Sequence, residues 1–289
     1  MKKPPEGGFG ISWWPGAEST RAEDVLSYVL ALQKELNMRK LIIAVVTMLI
    51  SSLSMAEIIQ VPGSDGETAT AYWSSPNSKA VLIFMPGGDG SFNIASKNPA
   101  KPSWVLSKLY DASQKSPGLD LVLVDSPYSL GMRGGNIAPR YSNDHLSRML
   151  SVIQFYKEKT KKSLYLIGHS NGTISESEFL NQSPNNQKLL AGIIFSGSRN
   201  ETSIDGPLNI PILFLHHEDD SNGRWTSYSN AEGLYKKVKA LNQGPTDFSA
   251  VHGGDTGGDP STSGHHMYEG SFDEAANYLW NFIFKQNLP

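Results

Sequence analysis

The sequence predicts an α/β fold with a mostly parallel, doubly wound sheet. The continuous apolar run Ala80–Met85 and the strongly apolar segments Leu119–Val124 and Leu190–Phe195 alternate with stretches of helical spacing, as expected for strands covered on both faces. Candidate catalytic groups fall just past the carboxyl ends of those runs, where sites in such sheets lie. With 289 residues and 39% apolar content the chain can build one large α/β domain.

Taken in order, 56–61 and 68–73 read as short strands joined by the turn signal Gly63-Ser64-Asp65-Gly66, hence a hairpin. Ala80–Met85 is a buried strand and 104–113 a helix. Leu119–Val124 is the next buried strand, ending at Asp125-Ser126-Pro127. A loop rich in Gly, Met and Arg fills 128–141. Ser142-Asn143-Asp144 then starts a helix to about residue 161, with Leu146, Leu150, Ile153 and Tyr156 at helical spacing. A strand runs into Ser170 and a helix covers 171–181. Strands follow at 190–195, 210–215 and 247–251, and helices at 231–241 and 272–284. No internal repeat or linker divides this part of the chain.

The N-terminus reads differently. Met38-Arg39-Lys40, the apolar stretch 41–50 and Ser54-Met55-Ala56 resemble the charged, apolar and small-x-small parts of a secretory signal. The apolar run is shorter than the ~20 residues that span a bilayer. The expectation is a signal peptide over 38–56 and a single α/β domain over 57–289, exported to the periplasm or outside, with no stable membrane anchor after cleavage. Residues 1–37 are read as an over-extended start or a disordered extension. Within them Thr20-x-x-Glu23 is a capping box for a helix over 24–36. An uncleaved signal anchor is the alternative.

Composition excludes several chemistries. Without cysteine the chain has no disulfide, thiolate metal site or Cys nucleophile. A net charge of −3 without a basic run gives nucleic-acid binding no electrostatic support.

The centre of the chemistry is Gly168-His169-Ser170-Asn171-Gly172. In a chain with 27 glycines the bare Gly-x-Ser-x-Gly pattern is weak. Its setting, strand before and helix after, is that of a nucleophile elbow. Ser170 is the candidate nucleophile and the Asn171 N–H a candidate oxyanion donor. A serine hydroxyl needs an imidazole to take its proton, and the imidazole needs a carboxylate to hold its tautomer. Asp220, in the turn after 210–215, is preferred over Asp219 as that carboxylate. For the base, His266 ranks before His265 and His252. The second oxyanion donor is expected in Met85-Pro86-Gly87-Gly88-Asp89-Gly90, with Gly88 first and Asp89 next. His216 and His217 suggest metal ligands, but neighbouring strand residues point to opposite faces, so no metal or other cofactor is expected.

These segments resemble the α/β-hydrolase superfamily, in particular a secreted branch of uncharacterised serine hydrolases. The resemblance runs from about Val81 to the C-terminus. It is carried by Phe84-Met85-Pro86-Gly87-Gly88, Val124-Asp125-Ser126-Pro127, Arg140-Tyr141-Ser142-Asn143-Asp144-His145, the elbow, His216-His217-x-x-Asp220 and His266-x-Tyr268-x-Gly270. It implies Ser170 as nucleophile, Asp220 as acid and His266 as base. The usual Gly after the catalytic His is Met267 here, which keeps His265 beside His266. About a dozen residues separate Ser198 from Ile210, too few for the lid domain many members carry. The implied activity is hydrolysis of a small or extended carboxylic ester, or an amide, through an acyl-enzyme. The rivals are a catalytically inactive binding protein on the same fold and a metal-dependent deacylase.

Overall fold

The computed structural model describes residues 27, 30–35, 56–97, 104–115, 118–131, 136–220, 224–254 and 264–286. The chain divides into two compact units, Met1–Met55 and Ala56–Pro289. In the first, the described residues 27 and 30–35 are helical, inside the helix expected over 24–36. The expected signal segment, apart from Ala56, lies outside the described residues.

The second unit is built on one eight-stranded sheet. Its strands are β1 (Glu57–Val61), β2 (Thr68–Trp73), β3 (Ala80–Met85), β4 (Leu119–Asp125), β5 (Ser163–His169), β6 (Gly192–Ser196), β7 (Ile212–His217) and β8 (Thr246–Val251). The spatial order is β1-β2-β4-β3-β5-β6-β7-β8. The predicted hairpin forms the antiparallel edge: β1 pairs with β2, and β2 with β4. From β4 to β8 every pairing is parallel.

The helices are α1 (Trp104–Lys115), α2 (Asn143–Thr160), α3 (Gly172–Gln182), α4 (Tyr228–Leu241) and α5 (Phe272–Gln286). Strand alternation assigns them to two faces. Val81, Ile83 and Met85 of β3 pack with Leu146 and Ile153 of α2, Phe179 of α3 and Val238 of α4. Leu82 and Phe84, one residue out of phase, pack with Leu106 and Leu109 of α1 and Leu279 and Ile283 of α5. Two apolar layers therefore cover the sheet, which is why β3 and β4 are apolar almost without alternation and buried throughout. The N-terminus of α2 is closed by Ser142, whose hydroxyl accepts from the His145 N–H at 3.2 Å.

Two details differ from the sequence reading. Strand β7 extends to His217, because His216 and His217 pair with Ala250 and Val251 of β8. A 3-10 turn, Gly264–Met267, carries His265 and His266; four residues are too short for a periodic signal. Residues 197–211, between β6 and β7, hold no inserted domain.

Glycines set the closest approaches at the sheet's carboxyl edge. A Cβ on Gly172 would lie 2.1 Å from the Met85 carbonyl oxygen, and one on Gly168 would lie 2.7 Å from the Gly172 carbonyl carbon. Neither neighbour is the end of a flexible side chain. Gly172→Ala should therefore destabilise the fold by about 2–4 kcal/mol, read as a lowered urea midpoint at unchanged m-value. A midpoint within error of the native one would show that α3 can shift away from β3.

Candidate active site

Strand β5 ends at His169 and the chain turns at Ser170, which has φ of +55°. A non-glycine residue in this region carries strain of about 1–3 kcal/mol and persists only where its surroundings hold it. Here they do. The Ser170 N–H donates to the Ser196 carbonyl at 3.0 Å, and the Ser170 carbonyl accepts from the Thr173 N–H at 3.0 Å and the Thr173 hydroxyl at 2.7 Å. Asn171 stands at the N-terminus of α3. Ser170 is 9% exposed, and a Cβ on Gly87 would come within 2.8 Å of its Cβ. The loop after β3 thus lies directly against the serine.

Of the candidate acids and histidines, the structure brings Asp220 and His266 together. His266 Nδ1 lies 2.8 Å from Asp220 Oδ2, and both side chains are almost fully buried. The Thr226 hydroxyl donates to Asp220 Oδ1 at 3.0 Å. A further histidine, His216, faces the same carboxylate with Nε2 3.3 Å from Oδ2. Its Nδ1 accepts from the Ser198 N–H at 3.2 Å, so the neutral ring carries its proton on Nε2 and donates to the Thr226 carbonyl at 3.0 Å. Burial by itself would raise the Asp220 pKa. The charge of His266 and the hydrogen bonds from His216 and His266 outweigh it, holding the carboxyl well below the usual carboxylate range.

The other candidates are elsewhere. His265 Nδ1 donates to the Asp219 carbonyl at 2.9 Å, and its ring stacks on His217 with centroids 4.2 Å apart. His217 Nε2 turns to the Gly253 carbonyl, away from His216. His252 is exposed and pairs with Glu274 at 3.1 Å. Asp219 is exposed.

His266 stands beside the elbow. Its ring centroid is 5.0 Å from that of His169, and a Cβ on Gly197 would lie 3.1 Å from His169 Cε1 and 3.2 Å from His266 Cε1. His169 Nδ1 lies 3.0 Å from the Ser196 hydroxyl, which lies 2.9 Å from the Tyr268 hydroxyl, which donates to the Leu215 carbonyl at 2.8 Å. The direction of the last bond sets the others: Ser196 donates to Tyr268, and His169 donates from Nδ1 to Ser196. The chain ties the turn that carries His266 to the ends of β5, β6 and β7. Burial, helped by the nearby His266 charge, pushes the His169 pKa far down, so this ring is neutral.

The loop after β3 is itself tied. The Gly90 N–H donates to the Gly87 carbonyl at 3.1 Å, closing a turn in which Gly88 has φ of +58° and is exposed. The Gly88 carbonyl points inward and accepts from Asn171 Nδ2 at 2.8 Å and Arg140 Nη2 at 3.0 Å. Arg199 donates to Asn171 Oδ1 at 2.7 Å and grips Glu201 with two bonds of 3.0 and 2.7 Å. Sequence reasoning had Arg140 only within the family-like segment 140–145. It missed the bond from Arg199 to Asn171 and the anchoring by Tyr268, whose partners are distant in sequence, and His216 as a neighbour of Asp220, which stands four residues on.

Glu176 of α3 was also missed. It is fully buried behind the elbow, where the Gly168 N–H donates to Oε2 at 3.0 Å and Oε1 has no partner among the described residues. Burial raises its pKa well above the ordinary 4.5, against the opposing hydrogen bonds from Gly168 and Ile194. Below about 4.5 the folded and unfolded chains are both protonated; above it the unfolded carboxyl ionises first, so stability falls as pH rises toward the folded pKa. Glu176→Gln mimics the neutral acid and should flatten this slope. Urea denaturation at pH 5 and pH 8 checks it: the native protein should lose more stability between the two than the variant. Equal losses would mean that Glu176 is ionised in the fold.

By sequence the chain matches no family model and no curated relative. Solved structures do match its fold. A serine hydrolase without a lid from Xanthomonas campestris is 8% identical, with a TM-score of 0.54 over 80% of this chain and 94% of that one. A dienelactone hydrolase from Anabaena variabilis is 12% identical, with a TM-score of 0.52 over 80% of this chain and 97% of that one. An esterase from Pyrococcus furiosus is 11% identical, with a TM-score of 0.52 over 81% of this chain and 93% of that one. Over its described residues the unit that begins at Ala56 has the α/β-hydrolase fold, with no lid domain among them.

Proposed function

We propose that the protein is a serine hydrolase that cleaves a carboxylic ester, or less readily an amide, through an acyl-enzyme. The observation that carries this is the strained Ser170 at the end of β5 with the His266–Asp220 pair beside the same elbow. The solved hydrolases and esterases of the same fold support it.

In this reading Ser170 Oγ forms a bond to the substrate carbonyl carbon while its proton passes to His266 Nε2. The carbonyl π pair moves onto oxygen, and the N–H groups of Asn171 and Gly88 bind that oxyanion. Collapse of the intermediate breaks the bond to the leaving group, which takes the proton from His266. Water then repeats the sequence on the acyl-enzyme and frees the acid. Asp220 keeps the His266 proton on Nδ1 and offsets the imidazolium charge. His216, whose Nε2–H is shared between the Thr226 carbonyl and this carboxylate 3.3 Å away, helps keep it ionised. This chemistry needs no cofactor.

A fluorophosphonate probe tests the reading. Attack by Ser170 Oγ on phosphorus expels fluoride and leaves the label on the serine. Native protein should be labelled and Ser170→Ala should not; labelling of Ser170→Ala would refute the assignment. Failure to label the native protein would leave a binding protein on this fold. Asp220→Asn, which offers His266 an amide where it needs a carboxylate, should lower kcat by about 10³–10⁴ on an activated ester such as p-nitrophenyl acetate. A decrease below tenfold would remove Asp220 from the triad.

The same reading includes export. Expressed with its N-terminus in a bacterial host, the protein should be recovered from the periplasm with its first residue near Glu57, as intact-mass measurement would show. A cytoplasmic product that keeps residues 38–56 would exclude the signal peptide.

A further inference from the structure

Arg140 is a large cation with no solvent exposure, in the 3-10 turn Ala138–Tyr141. Among the described residues no carboxylate lies within ion-pairing distance of it. Its donors go instead to carbonyls of the loop after β3, Gly88 at 3.0 Å and Pro86 at 3.4 Å, and to the Ser175 hydroxyl of α3 at 2.8 Å. Its Nε has no partner among the described residues. His145 Nε2 lies 2.9 Å from the same Ser175 hydroxyl. Burying a guanidinium against neutral acceptors is costly, so a stability role explains it poorly.

The contacts join two segments. One is the loop that carries Gly88, and the other is α3, which Asn171 precedes at its N-terminus. In a planar trans peptide the N–H points opposite to the carbonyl. Turning the Pro86 and Gly88 carbonyls toward Arg140 therefore fixes the planes on either side of the peptide that carries the Gly88 N–H. The Gly87–Gly90 turn bond holds the peptide between them. Asn171 makes the second bridge, from Nδ2 to the Gly88 carbonyl, and Arg199 holds its other end. Arg199 is in turn held by Glu201 and lies over the Trp225 ring at 5.1 Å.

We propose that Arg140, reinforced by Arg199 through Asn171, is a positioning residue that sets the oxyanion-binding amides before substrate arrives, and that its charge, only partly offset by Asp89, favours the anion formed there. The inference rests on the serine-hydrolase reading. Donors fixed in advance stabilise a developing charge without reorganising, so the benefit belongs to the transition state rather than to substrate binding.

The test compares native protein with Arg140→Met, Arg140→Lys and Asn171→Ala, each checked for a native circular-dichroism spectrum. Asn171→Ala removes the side-chain bridge and keeps the backbone N–H. Ester turnover gives kcat and KM, and an alkylboronic acid serves as the probe. Ser170 Oγ bonds to its boron, the serine proton goes to His266, and the tetrahedral boron carries the negative charge. In Arg140→Met kcat should fall about tenfold to a hundredfold with KM within about twofold, and boronate affinity should fall by the same factor as kcat. Arg140→Lys keeps the charge but not the fork and should recover part of both losses. Asn171→Ala should repeat the pattern at smaller size. If Arg140→Met does not fold, the other two variants are read by the same ratio. Native-like kcat and boronate affinity in the folded variants would overturn the inference, as would KM rising as much as boronate affinity falls. Where the native protein turns over ester and its Ser170 is labelled, such results remove the inference alone. A native protein that does neither removes the inference and the hydrolase reading together.

Discussion

The structure depends on how closely three backbone segments meet around one left-handed residue. Ser170 adopts φ of +55°, and the strand before it and the helix after it come together with no room for side chains at Gly168 and Gly172. Gly87, from a different loop, fills the remaining side against the serine Cβ. The missing Cβ atoms are what allow the β3 loop, β5 and α3 to converge. They also explain a buried acid: a Cβ on Gly168 would lie 2.6 Å from Glu176 Oε2, so the carboxyl occupies space the glycine leaves open. Strain at the serine is held by hydrogen bonds to Ser196 and Thr173, which belong to the same crowded corner.

Around that corner, polar groups replace apolar packing, and hydrogen-bond direction removes their freedom. The Leu215 carbonyl can only accept, so the order of donors back through Tyr268 and Ser196 to His169 is determined. The Ser198 N–H can only donate, which settles the proton on His216. Asp220 is consequently faced by two rings, and its charge is kept although it is buried. In a low-dielectric setting such a framework is rigid, because any rotation would leave a buried donor or acceptor unmatched. Rigidity of this kind is what a site needs if its geometry is to precede its substrate.

Strands β3 and β4, the β1–β2 hairpin and the elbow were legible because each depends on neighbours in sequence. Apolar runs mark burial on both faces, a Gly-Ser-Asp-Gly turn marks a hairpin, and a strand before Gly-x-Ser-x-Gly marks a forced turn. The end of β7 was not legible, since His216 and His217 are in the strand through pairing with β8 rather than through their own propensity.

Sequence by itself determined the α/β architecture, the position of the strained serine and a short list of acids and histidines after it, because strand burial, turn chemistry and chain order are local or ordinal properties. Only the tertiary structure decided which of them meet. His265 and His266 are adjacent on a 3-10 turn, where successive residues point about 120° apart, so one ring stacks on His217 while the other reaches Asp220. Arg140, and Arg199 through Asn171, became visible as the ties of the Gly88 loop only when Arg140 and Asn171, each more than fifty residues from Gly88, closed on its carbonyl. Such contacts leave no periodic trace, because they are selected by direction and distance in space, and the chain's order carries neither.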